Sequence, residues 1–372
     1  MWVYIKMAKI PLIFKRFPDL AQTIDWLDLD LTTAPVHRLG HMEHDNLWIK
    51  RTDLVSTVIG GNKVGRLEFI LADVRRQKKD HIITLGGIGS NHCLAVAIFC
   101  RRLGIRCTLC LFEQPLTRYV RENLRLFHYF GAKLIFAGSL WRSVLDFYLR
   151  LKRRHPDAFF LEAGGASDIG VLGAVNAALE LKQQIDNNEL PRPAFIFYPT
   201  ASNAGMAGLS LGLQLTGVKA TVVGVRTGRA RLGPVPLNTP GTVRNRIKKT
   251  GRFLKTKSRM VPGIKVPEPV MLDQYCGQGY GFPTEKGMKA LQVFKQREHI
   301  MLEPVYTAKT CAALLDMLKR EPFSQKPILY WHTYHSVDFS KEAATVDYRE
   351  LPPELHWCFQ EKHQPDEPLT GR

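Results

Sequence analysis

The chain has 372 residues, with 52 Lys or Arg against 34 Asp or Glu and a formal net charge of +18. With 45% hydrophobic and 23% charged residues it reads as a globular protein of one large or two ordinary domains, neither disordered nor fibrous. No stretch approaches eighteen uninterrupted apolar residues, so a membrane-spanning helix is not expected and a cytoplasmic location is. The opening MWVYIKMAKIPLIFKRF is broken by Lys6, Lys9 and Pro11 and lacks a small-residue cleavage site, which argues against secretion. Seven scattered cysteines read as reduced thiols.

In chain order, the first distinctive run is Val58–Glu68, where Gly60, Gly61 and Asn62 precede Lys63 and a helical pattern of Leu67, Ile70, Leu71 and Val74 follows. A lysine on a tight turn at a helix start can point its amine into a cleft. The same residues read equally well as a glycine turn followed by a surface lysine. His81–Leu85 predicts a buried strand ending at Gly86-Gly87, with a helix over Ser90–Leu103 and a strand over Ile105–Phe112. Helices near Thr117–Phe130 and Leu140–Arg153 then flank the strand Lys133–Phe136. A second series comprises Phe159–Leu161, a helix near Val171–Gln184, the strand Ala194–Tyr198, a helix from Asn203 and the strand Ala220–Val225. Helices near Glu285–Gln296 and Ala308–Lys319 and the strand Pro327–Trp331 follow, and the last thirty residues read as a surface tail. This register predicts an α/β fold in two doubly wound, parallel-sheet parts.

Cys107 and Cys110 have C-x-x-C spacing, but lie within one strand where i and i+3 face opposite sides of the sheet. No second such pair accompanies them, and no metal site is expected. Between Arg226 and Pro267 there are twelve Lys or Arg and no Asp or Glu, two-thirds of the +18 excess. That stretch reads as a solvated, partly mobile face. Attraction for nucleic acid or another acidic partner is the alternative, weakened by the lack of interleaved aromatics.

Two loops are placed to bind an anion where strands meet helix N-termini: Gly86–His92 and Tyr198–Met206. Neither a G-x-x-x-x-G-K-[ST] nor a G-x-G-x-x-G motif is present, so nucleoside triphosphatase and dinucleotide chemistry are not indicated. Asn91 and Asn203 also suit plain helix starts, and Tyr280 and Tyr306 suit plain core aromatics.

The order of these motifs is more specific than any one of them. Gly-Gly-Asn-Lys63, then Gly-Gly-x-x-Ser90-Asn91-His92, then Thr200-Ala201-Ser202 before Ala-Gly-Met, then Gly279-Tyr280-Gly281 and Glu303-Pro304-Val305-Tyr306 follow one another from Pro35 to about Thr333. The chain thereby resembles the pyridoxal-phosphate enzymes of the 1-aminocyclopropane-1-carboxylate deaminase and D-cysteine desulfhydrase family, in the tryptophan synthase β-subunit fold (fold type II). The resemblance implies a large cofactor-binding domain over residues 1–65 and 163–340, a small α/β domain over 66–162, a C-terminal extension over 341–372, and a homodimer. It implies that Lys63 binds the cofactor covalently and moves the α-proton, with Asn91 at the ring hydroxyl, Arg66, Thr200, Ala201 and Ser202 at the phosphate, and Thr333 at the ring nitrogen. Ser90 and His92 match substrate positions, and Ser90, Tyr280 and Tyr306 match catalytic ones. Deaminase members carry Glu after the second tyrosine. Thr307 stands here instead, which favours β-elimination from D-cysteine, giving pyruvate, sulfide and ammonia.

The chain also departs from that pattern. Gly65-Arg66 replaces an Arg-Lys pair, Pro199 and Ala201 replace Gly or Thr, and Tyr334-His335 replaces the Gly-Gly expected after Thr333. A relative that binds cofactor without catalysis is therefore an alternative.

Overall fold

The computed structural model describes residues 9–361; the first eight residues of the opening segment weighed for secretion, and the last eleven residues of the chain, lie outside them. The strands are β1 (Val36–Arg38), β2 (Leu47–Arg51), β3 (His81–Gly87), β4 (Arg106–Phe112), β5 (Lys133–Gly138) and β6 (Phe159–Leu161). They continue as β7 (Phe195–Thr200), β8 (Thr221–Arg226), β9 (Arg231–Leu232), β10 (Val235–Pro236), β11 (Val270–Leu272) and β12 (Ile328–His332).

Two sheets form. The larger runs β1-β2-β12-β7-β8-β11, parallel except for the antiparallel edge pair β1–β2. The smaller runs β5-β4-β3-β6 and is parallel throughout. All seven residues of β3 and all five of β12 are buried, as expected for parallel strands covered by helices on both faces. The predicted α/β architecture is the one observed.

Local chemistry sets the helix boundaries. Ser90, Thr117, Ser139, Ser167 and Thr284 each accept the third backbone N–H of the helix they open, and Gly104 and Gly217 close two helices in the left-handed region. The helix Val64–Arg76 joins the two cores. Leu67, Ile70, Leu71 and Val74 pack with the small-sheet core, whereas Phe69 packs with Leu172 and Val175 beneath the large sheet.

Three expectations need correction. The C-terminal segment is not a surface tail as far as residue 361, because Ala343, Val346, Leu351, Leu355 and Cys358 are buried in the small-sheet core. The basic stretch is not a mobile face throughout: it includes an eighteen-residue helix, Pro240–Lys257, capped by Thr239 and anchored in the large-sheet core through Val243, Ile247 and Leu254. The predicted helix after Ser139 passes through a π-helical turn at Asp146–Leu151. Cys107 and Cys110 do fall on opposite faces, in separate clusters, and all seven cysteines are reduced and buried.

Candidate active site

In each sheet the strand order reverses once. The chain leaves β3 for β4 on one side and β6 lies on the other; likewise β8 and β12 flank β7. Loops beyond the carboxyl ends of strands at such switch points diverge and leave a crevice. Here the two crevices share one cavity of about 950 Å³, lined by the loops after β3, β6, β7 and β12. Lys63, Arg66, Ser90, Asn91, His92, Thr200, Ala201, Ser202, Tyr280, Tyr306 and Thr333 all line it. Every residue read from the sequence as a catalytic, cofactor or substrate position is brought to this one place.

The glycines before Lys63 serve close approach. A Cβ on Gly60 would collide with the Asp53 carbonyl, and Gly61, at φ +92°, would meet the Thr333 and Tyr334 carbonyl oxygens at 2.8 and 2.9 Å. The turn thus lies flat against the loop after β12, where the Asn62 N–H reaches Thr333 O at 3.4 Å. Lys63 is the N-cap of the helix Val64–Arg76, and its amine donates to Asn62 Oδ1 at 2.9 Å. Asn62 is held in turn by donating to the Tyr198 hydroxyl at 2.6 Å. Desolvation, then the nearby Arg66 guanidinium, push the Lys63 amine well below the usual lysine range, with the more distant Glu303 opposing them. Both effects favour the neutral, nucleophilic form of the amine that faces the cavity.

Arg66 lies one turn further on the same helix and is 2% exposed. It donates to the Gly164 carbonyl at 2.6 Å through Nη1, and its buried Nε has no protein partner. Facing it is the N-terminus of the helix Ala204–Thr216, which no side chain caps because Asn203 sits in the left-handed region and donates instead to Leu237 O and Thr242. A Cβ on Gly205 would lie 2.6 Å from Arg66 Nη2, so glycine is required for this approach. A buried cation with a spare N–H, beside an uncapped helix start, has the donor set a phosphate needs. Ser202 lies at this wall against Gly164, whereas the Thr200 hydroxyl is taken up by Asn203 and Asn238, each at 3.5 Å. The pyridoxal phosphate fits these residues.

On the opposite wall Ser90 caps the helix Asn91–Leu103, and Asn91 is oriented by the Asn123 amide at 3.3 Å. His92 Nε2 lies 3.1 Å from Thr84 Oγ1. That hydroxyl donates to Leu161 O at 2.9 Å, so the imidazole N–H must be the donor to Thr84. Burial, helped by Lys63 and Arg66, lowers the His92 pKa to about 3, and the ring is neutral. Tyr280 and Tyr306 meet edge to face with centroids 5.8 Å apart. The Tyr280 and Tyr306 hydroxyls and Ser90 are near enough to influence one another's protonation. Burial raises Tyr280 to about 12 and holds Tyr306 well above the usual phenol range, so both phenols stay protonated. The Lys63 amine lies 5.9 Å from the Tyr306 ring centroid.

Two contributors escaped the sequence reading. Glu303 lines the cavity and accepts the Val305, Tyr306 and Thr307 N–H groups at 2.8, 2.7 and 2.7 Å, fixing the backbone that presents Tyr306. Lys309 is fully buried and donates to the Cys276 and Gly279 carbonyls at 2.8 and 2.9 Å, tying down the loop that carries Tyr280. A lysine inside the apolar run Ala308–Leu314 was the available signal for it.

Comparison with known proteins agrees with this geometry. Residues 28–333 match the family described as pyridoxal-phosphate dependent enzymes. The chain is 30% identical to a D-cysteine desulfhydrase of Serratia proteamaculans (strain 568), covering 82% of this chain and 92% of the relative. It is 31% identical, with the same coverages, to a D-cysteine desulfhydrase of Yersinia pestis (strain Pestoides F). Among solved structures it is similar to an ACC deaminase homologue, with a TM-score of 0.71, 26% identity, and coverage of 91% of this chain and 99% of that one. The fold alone is shared with a fungal L-serine ammonia-lyase from Rhizomucor miehei, at a TM-score of 0.57, 17% identity, and coverage of 85% and 98%. The chain, which presents this cavity between its two switch points, thus belongs to the pyridoxal-phosphate dependent enzymes, in the D-cysteine desulfhydrase and ACC deaminase group.

Proposed function

We propose that this chain is a lyase that removes the α-proton of a small amino acid and eliminates its β-substituent, D-cysteine giving pyruvate, sulfide and ammonia. The observation that carries the reading is the Lys63 amine, desolvated and open to the cavity, one turn before a buried arginine with a spare N–H. Pyridoxal phosphate, when bound, supplies the electron sink. Lys63 would hold the cofactor and provide the base for the α-proton, because burial beside Arg66 lowers the proton affinity of its amine and favours the free base. Arg66, Ser202 and the helix start at Ala204 would hold the phosphate, with Thr200 bracing that turn. Ala201 contributes backbone only. Asn91 and Thr333 would face the ring, Thr333 offering a neutral hydroxyl rather than a carboxylate. Ser90 and His92 suit a substrate carboxylate. The Tyr306–Tyr280–Ser90 chain of hydroxyls offers a proton to a departing group, both phenols being held neutral.

A second reading is deamination of a 1-aminocyclopropane-1-carboxylate type of substrate, which the likeness to the ACC deaminase homologue supports. Thr307 weighs against it. Its hydroxyl is engaged with Glu303, and no carboxylate follows Tyr306 in the sequence.

The test is an absorbance titration of the purified protein with D- and L-cysteine, D-serine and 1-aminocyclopropane-1-carboxylate, with ammonia and keto acid measured in parallel. A band from lysine-bound cofactor, perturbed by D-cysteine with release of pyruvate, is the expected result. Release of 2-oxobutyrate from the cyclopropane substrate would transfer the assignment to the second reading. A perturbed band without any product would leave a binding protein.

A further inference from the structure

Beyond Thr333 the chain puts two large side chains, Tyr334 and His335, on the cavity wall. The segment is pinned at four points. The Thr333 carbonyl accepts the Asn62 N–H, and Ser336 Oγ donates to Asp53 O at 3.1 Å. The Tyr334 ring packs edge on against Tyr119 of the small domain at 6.3 Å, and lies tilted against His335 at 4.4 Å. His335 Nδ1 lies 3.1 Å from the Val337 carbonyl, so Nδ1 carries the proton and donates. That bond fixes the tautomer and leaves Nε2 with a lone pair. No protein group among the described residues is bonded to Nε2, and it is not sealed in the interior.

A ring locked on one side and open on the other is a preorganised acceptor, costing little to order when a donor arrives. Two other polar groups of the wall are engaged, Glu303 with three backbone N–H groups and His92 with Thr84.

We propose that His335 is a specificity determinant, its Nε2 accepting a hydrogen bond from the substrate side chain. The site then selects small amino acids with an underivatised hydroxyl or thiol over alkyl ones of the same size. A site built to bond a hydroxyl disfavours the analogue that lacks it, because the acceptor, once covered by the bound ligand, is left unmatched. The inference rests on the lyase reading, whose substrate it narrows.

The test uses the cofactor-loaded full-length protein. Affinities for serine and its isostere 2-aminobutyrate, in both stereochemical series, are read from the cofactor absorbance. In protein labelled with 15N-histidine, the His335 Nε2 resonance is identified by its absence from His335→Gln. Serine should bind about tenfold more tightly than 2-aminobutyrate. The ratio should fall towards one in His335→Leu, return in part in His335→Gln, and the Nε2 resonance should shift with serine alone. Equal affinities, no response to either amino acid, a ratio unchanged in His335→Leu, or a stationary resonance with serine bound would each overturn it. The two readings fail separately. Pyruvate formation without the serine preference removes the role of His335 and keeps the lyase. The preference without any product removes the lyase and keeps His335 as a binding group.

Discussion

Lys50 and Lys63 stand thirteen residues apart, both removed from bulk water, and their surroundings differ in one respect. Lys50, fully buried, donates to Glu180 at 2.7 Å, to the Ala34 carbonyl at 3.3 Å and to Gln184 at 2.5 Å. Its three donors are used, and Glu180 offsets much of the cost of burying the charge. Lys63 has Asn62 Oδ1 as its hydrogen-bond acceptor and no ion pair among the described residues. The charged group that acts most strongly on it is another cation, Arg66, which adds to the effect of burial. The saturated lysine braces the fold. The unsaturated one faces a cavity and has donor capacity and a lone pair to spend on chemistry.

Exchange of either lysine separates the two roles. Lys63→Ala should abolish covalent cofactor binding and lower turnover by at least about 10³-fold, while its urea midpoint stays within about 1 kcal/mol of the parent. Lys50→Met should do the opposite, costing about 3 kcal/mol through the half-buried Glu180 carboxylate left behind, with a normal cofactor spectrum in the folded fraction. A Lys63→Ala protein that unfolds, or a Lys50→Met protein that folds normally without cofactor, would invert the comparison.

Arg66→Gln sharpens it further along the same helix. Loss of the buried guanidinium should weaken cofactor retention about a hundredfold, read by equilibrium dialysis, and leave covalent capture by Lys63 possible at saturating cofactor. Unchanged retention would move the phosphate elsewhere.

The smallest expected effect concerns Glu68 on the far side of the turn. It is 4% exposed, and burial raises its carboxyl to about 7, partly opposed by the Trp26 indole, Lys9 and the Leu29 N–H. Between pH 4.5 and 7 the folded state holds more protons here than the unfolded one, so this residue makes stability fall as pH rises through that window. Glu68→Gln should remove the slope, gaining about 2 kcal/mol relative to the parent between pH 5 and 8. Parallel stability curves for the two proteins would contradict it.

Much of the architecture was legible because its signals are local. Buried parallel strands such as His81–Gly87 read as apolar runs, and Gly60-Gly61 announced a turn whose φ and close contacts demand glycine. The short edge strands Val36–Arg38 and Val270–Leu272 were not legible. Their exposed or half-buried residues carry no alternation, and pairing with distant strands alone defines them. The C-terminal segment misled because its Pro, Glu and His residues outnumber the five apolar anchors that bury it. At the site, residue types were visible while their bonding was not. Nothing in the sequence distinguishes the engaged Thr200 hydroxyl from the open face of Arg66, or reveals that Lys309 holds the Tyr280 loop.

The most direct test of the central assignment is borohydride reduction of the cofactor-loaded protein, followed by peptide mass mapping. The expected result is a single pyridoxyl-modified peptide with the label on Lys63. Label on Lys50, Lys309 or another lysine, or a protein that takes up pyridoxal phosphate without any reducible lysine bond, would contradict it.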